Sequence, residues 1–99
     1  MRRAAKIDAN QEEIVSALRA AGASVQSLAS VGKGCPDLVV GFRGSNHLLE
    51  CKDGRKPPSA RELTTDQAKW LQAWRGAVTV VLSPEDALRA IGAIYEPSL

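Results

Sequence analysis

Gly34-Cys35-Pro36-Asp37-Leu38-Val39-Val40-Gly41 and, shortly after it, His47-Leu48-Leu49-Glu50-Cys51-Lys52 decide how this chain folds. Each stretch is a short apolar run bounded by turn-forming residues, the pattern of a β-strand. A carboxylate opens the first and a carboxylate-x-lysine closes the second. Side chains alternate along a strand, so Glu50 and Lys52 share one face while Leu49 and Cys51 take the other. Between the runs, Arg43-Gly44-Ser45-Asn46 reads as a turn. A hairpin of Asp37–Phe42 with His47–Lys52 follows, and it brings Asp37 towards Glu50. Two acids and one base then stand at one edge of a sheet, which suits a divalent ion with a water beside it.

Working outward, residues 8–21 read as a helix, with Ile14, Ala17, Leu18 and Ala21 on one stripe. Asp8 is its expected N-cap and Gly22 its stop. Ser24–Ala29 reads as a strand of imperfect alternation, and Val31-Gly32-Lys33-Gly34 as a flexible loop. Beyond the hairpin, the loop Asp53–Arg61 contains Gly54, Pro57 and Pro58. Thr64–Arg75 reads as a second helix with Gln67, Trp70, Leu71 and Trp74 on one face. Ala77–Leu82 reads as a buried apolar strand. Ser83 caps a third helix, Pro84 suits its first position, and Leu88, Ile91 and Tyr95 supply an inner face. The resulting order is α-β-β-β-α-β-α, an α/β sandwich with a mixed sheet.

The chain has 99 residues, 44% hydrophobic and 24% charged, which predicts one globular domain over 1–99 rather than a disordered segment. Residues 1–7 read as a loose basic arm. No apolar run reaches the length of about 20 residues that spans a bilayer. The start is basic but lacks an apolar signal core, which argues for a cytoplasmic protein and against a membrane partner. A net charge of +2 neither requires nor excludes nucleic acid. Cys35 and Cys51 lack paired-cysteine spacing, and His47 is the one histidine, so both read as reduced structural thiols rather than zinc ligands.

Pro36-Asp37, a gap of twelve residues and Glu50-Cys51-Lys52 resemble the PD-(D/E)xK nuclease signature. The placement between a helix carrying Gln11-Glu12-Glu13-Ile14 and another carrying Thr64-Thr65-Asp66-Gln67 is similar to the VRR-NUC branch, in particular its small phage-type members, and to Holliday-junction resolvases. The likeness spans roughly residues 8–90. It implies a restriction-endonuclease-like αβββαβα core and a metal-dependent, structure-selective endodeoxyribonuclease acting on branched or four-way DNA. Asp37 and Glu50 are the implied ligands of Mg²⁺ or Mn²⁺, and Lys52 the residue beside the attacking water. The Cys51 carbonyl, lying between the site residues, is a natural extra ligand.

Gln67 has two readings. It is the family's polar residue near the water or scissile phosphate, or it closes a capping box with Thr64. Resolvases carry a metal-binding glutamate on the first helix. Gln11 takes that position here, and Glu12 is displaced by one residue, a rotation of about 100°. Gln11 is also a candidate cap in Asp8-Ala9-Asn10-Gln11. Lys33, Arg43, Arg55, Lys56 and Arg61 lie in loops and are the candidate contacts to a DNA backbone. Trp70 and Trp74 read as core residues, or as part of a homodimer interface that would present two sites to a symmetric junction. A nuclease acting on ordinary duplex ends, and a non-catalytic DNA- or partner-binding module, are the alternatives.

Overall fold

The computed structural model describes residues 9–94. Helix α1 (Ala9–Ala20) leads into β1 (Ser24–Ser27), β2 (Leu38–Phe42) and β3 (Ser45–Cys51). A 3₁₀ turn at Pro58–Arg61 precedes α2 (Thr65–Ala73), β4 (Thr79–Val81) and α3 (Pro84–Ala90). The expected α-β-β-β-α-β-α order therefore holds. Asp8, the basic arm and Tyr95 lie outside the described residues.

The four strands lie in the order β1-β2-β3-β4. The first three are antiparallel, and β4 joins β3 in parallel after the crossover through α2, so the sheet is mixed. Leu38 pairs with Leu49 and Val40 with His47. The hairpin loop is tighter than the sequence predicts. Only Arg43 and Gly44 turn the chain, at φ 49° and 82°, while Ser45 and Asn46 already pair with Phe42 and Gly41. A two-residue loop with both residues left-handed matches the right-handed twist of the strands it joins. Gly44 adopts that conformation without strain, whereas Arg43 lacks the side chain that usually marks such a turn.

Alternation in the hairpin separates the two faces of the sheet. Leu38, Val40, Leu49 and Cys51 point to one face and join Ile14 and Leu18 of α1, Val81 of β4, and Ala87 and Ile91 at α3 in a single hydrophobic cluster. Helices α1 and α3 also pack on each other. Each fully buried Leu or Ile in such a cluster contributes about 1.5–3 kcal/mol. Glu50 and Lys52 point to the opposite face, where α2 meets them through Gln67. The sheet thus has helices on both sides.

Two expectations need correction. The last strand is three residues long and only Val81 is buried; Val80 is 41% exposed. β4 is an edge strand, and its second face meets solvent. Trp70 and Trp74 do not enter the core. Helix α2 buries none of its residues, Trp70 is half-buried and Trp74 is 48% exposed. Instead the two indoles stack on each other, with centroids 4.5 Å apart and planes 18° from parallel. The helix also ends sooner than expected, because Trp74 is extended (φ −74°, ψ 127°) and closes the last turn by donating its N–H to Trp70 O.

Candidate functional site

The hairpin register carries Asp37 to the level of Glu50, one step beyond the Leu38–Leu49 pair. There the strands stop exchanging main-chain hydrogen bonds and Asp37 takes over with its side chain: Oδ2 accepts from the Cys51 N–H at 2.8 Å. A strand residue that offers its N–H to one edge offers its carbonyl to the same edge. The Cys51 carbonyl therefore leaves β3 on the Asp37 side. Pro36 before it is fully buried, which fixes the entry of β2.

Glu50 is 2% exposed. Its Oε2 accepts from Gln67 Nε2 at 3.1 Å and lies 3.7 Å from Lys52 Nζ. Lys52 Nζ in turn donates to Gln67 Oε1 at 2.8 Å. One amide therefore bridges the acid and the base of the E-x-K strand. Burial pushes the Glu50 carboxyl up to about 8; the charge of Asp37 and a hydrogen bond shared with it add to this, and Lys52 opposes it. Its own burial, with the charges of Glu50 and Asp37, pushes the Cys35 thiol up.

Gln67 closes the expected capping box. Its N–H donates to Thr64 Oγ1 at 3.1 Å, and Thr64 N–H donates to its Oε1 at 2.9 Å, a complete capping box. The cap fixes the rotamer, and the fixed amide faces Glu50 and Lys52. The loop between β1 and β2 packs against that helix start. Gly34 (φ 82°) lies so close that a Cβ there would collide with the Asp66 carbonyl and come within 2.7 Å of Gln67 N.

Sequence reasoning missed Asn10. It is 2% exposed, and its Nδ2 donates to the Lys52 carbonyl at 2.7 Å, tying α1 to the end of β3. A signal was present: Asn10, Ile14 and Leu18 stand at i, i+4 and i+8, so a polar residue occupies the buried stripe. Gln11 and Glu12 line an open cleft of about 430 Å³ with Ser27 and Leu38, the residue after Asp37.

The basic candidates divide. Lys33 precedes Gly34 and so lies beside the start of α2. Arg61 donates Nε to the Lys56 carbonyl at 2.8 Å, which folds that loop on itself. Arg55 is engaged by Asp53 at 3.0 Å and by Glu13 at 3.6 Å. Arg43 sits at the hairpin tip, 4.8 Å over the Phe42 ring, at the far end of β2 from Asp37. Five strand residues separate the two ends by roughly 16 Å.

Among the described residues there is no group of three or more acidic, histidine or cysteine side chains able to hold a metal ion. The donors on offer are two carboxylates and a main-chain carbonyl. Hard oxygen donors of this kind suit Mg²⁺ or Mn²⁺, whose remaining positions water or a phosphate oxygen fills. The buried Glu50 carboxyl, raised by its burial and by the neighbouring Asp37, is a fitting place for such an ion. No helix among the described residues is long and apolar enough to cross a membrane. Comparisons with protein-family models, curated proteins and solved structures found no match to this chain.

Proposed function

We propose that this chain is a metal-dependent endodeoxyribonuclease of the PD-(D/E)xK type, similar to phage-type VRR-NUC proteins, that acts inside the cell on branched or four-way DNA. The observation that carries the reading is the closed set Asp37, Glu50, Lys52 and Gln67, brought together at the ends of the two central strands and the start of a capped helix. The αβββαβα order supports a restriction-endonuclease-like core.

Asp37, Glu50 and the Cys51 carbonyl would hold Mg²⁺ or Mn²⁺, which when bound supplies positive charge for the phosphate and acidifies a water. Lys52 sets its ammonium where negative charge develops on the phosphate. Gln67 keeps that ammonium and the Glu50 carboxylate in fixed relation, so it is a positioning residue. Asn10 anchors the main chain at Lys52. Lys33, Lys56 and Arg61 are the basic residues best placed to meet a DNA backbone. Arg43 would touch only a substrate that extends along the hairpin, and Arg55 would first have to leave its carboxylates.

A two-fold homodimer would present two such sites to a symmetric junction. Light scattering of the purified chain, alone and with a junction, tests that state.

The test of the activity is competition among labelled four-way junction, flap, single-stranded and linear duplex DNA, in Mn²⁺ and in EDTA. Cutting of the branched substrates in Mn²⁺ alone is the expected result. Equal cutting of linear duplex would replace structure selectivity with a nuclease acting on ordinary ends. DNA binding that is indifferent to metal, with no cutting, would leave a binding module on the same fold.

A further inference from the structure

We infer that the Trp70–Trp74 stack on α2 is a platform for the unpaired bases of the DNA substrate, next to the scissile phosphate. The inference rests on the nuclease reading and adds what that reading lacks, a reason for branch selectivity.

Large aromatics on a short helix ordinarily serve a core, and these do not. Helix α2 buries none of its residues, and half of Trp74 stands in solvent. The indoles stack on each other. Gly76 passes close to the edge of Trp74, where a Cβ would come 2.9 Å from the indole Nε1.

The stack continues from the candidate site. Gln67, Trp70 and Trp74 stand at i, i+3 and i+7, one face of the helix. Gln67 touches Glu50 and Lys52. At a rise of about 1.5 Å per residue, Trp70 lies roughly 4.5 Å and Trp74 roughly 10 Å along the axis from Gln67. That is within a few nucleotides of a phosphate held at the acid pair.

Charge on the segment fits the same occupant. Residues 68–76 carry Lys69 and Arg75 and no acid. An exposed aromatic pair flanked by cations is the combination that binds single strands without reading sequence, because every base has a face to stack. Paired bases inside a duplex offer no such face. Branch points, flaps and frayed ends do.

Trp70 and Trp74 are the only tryptophans in the chain, so its indole fluorescence reports on this stack alone. The experiment titrates the whole chain with oligothymidylate, flap and blunt duplex, in EDTA and in Mn²⁺, and follows cleavage of the same flap. The expected result is saturable quenching by oligothymidylate and flap, and little by blunt duplex. Trp74→Ala should weaken flap binding roughly tenfold, and Trp74→Phe should retain most of it. Flap cleavage with unchanged fluorescence, and a Trp74→Ala variant that binds like wild type, overturns the platform and leaves the nuclease reading intact. Quenching without cleavage upholds base stacking on the tryptophans and removes the nuclease. A chain that neither binds nor cuts DNA ends both. Fluorescence that follows protein concentration and not DNA overturns the platform in favour of an interface between two copies.

Discussion

Glu50 is a carboxylate with almost no access to water, facing a second carboxylate. Its folded-state pKa of about 8 stands above the ordinary 4.5. In metal-free solution the folded chain keeps a proton that the unfolded chain has already released. That contribution to stability is complete below about pH 4.5 and is lost as the pH rises towards about 8. Melting temperature in EDTA should therefore fall across that window, and Glu50→Gln should flatten the fall. An equally steep fall in the variant would contradict the assignment. Asn10 yields a second prediction at this scale. Asn10→Leu removes the donor to the Lys52 carbonyl and leaves a buried acceptor unpaired, at a cost of about 1–3 kcal/mol in urea unfolding. Activity should fall with it, because the anchor of Lys52 is gone. Of this chemistry, Asp37, Glu50 and Lys52 were legible from a two-residue period and one turn. Asn10 was hidden because an asparagine near a helix start is usually a cap.

Helix α2 is a polar element, held by its first turn. Thr64, Gln67 and the close pass of Gly34 fix it, while its apolar side stays largely in solvent. Thr64→Ala should cost about 1 kcal/mol through the lost cap, and should lower cleavage further than that stability loss explains, because the same cap orients Gln67. Gly34→Ala should be worse on both counts, since its methyl has to displace the Asp66–Gln67 backbone. Thermal melts and cleavage rates measured side by side check both variants; Gly34→Ala with wild-type activity would show that the loop does not support the site. The sequence made the capping box and the catalytic candidate look like competing accounts of Gln67. The cap and the contacts to Glu50 and Lys52 are compatible, because a capped side chain has a fixed direction. The same periodicity misread the tryptophans, since it identifies which residues share a face and not what that face meets.

At the scale of the whole molecule, one sheet divides the work. One face, with α1 and α3, holds the hydrophobic cluster; the other carries the acids, the lysine and α2. Leu49 and Glu50 are neighbours in sequence and belong to different faces. Leu49→Ala should destabilise the chain by about 2–5 kcal/mol and affect cleavage only through the folded fraction, as denaturant titration beside activity would reveal. Strand order was legible because each strand is short and bounded by turns. The exposure of β4 was not, because an apolar run looks the same at a sheet's edge as at its centre. The acid pair and Lys52 are proposed as a metal-dependent phosphodiesterase site. The most direct test is the rate at which labelled four-way junction is cut in Mn²⁺ by wild type and by folded Lys52→Ala. Cutting that EDTA abolishes, with a loss of at least about a hundredfold in the variant, is the expected result. Equal rates for the two proteins would contradict it.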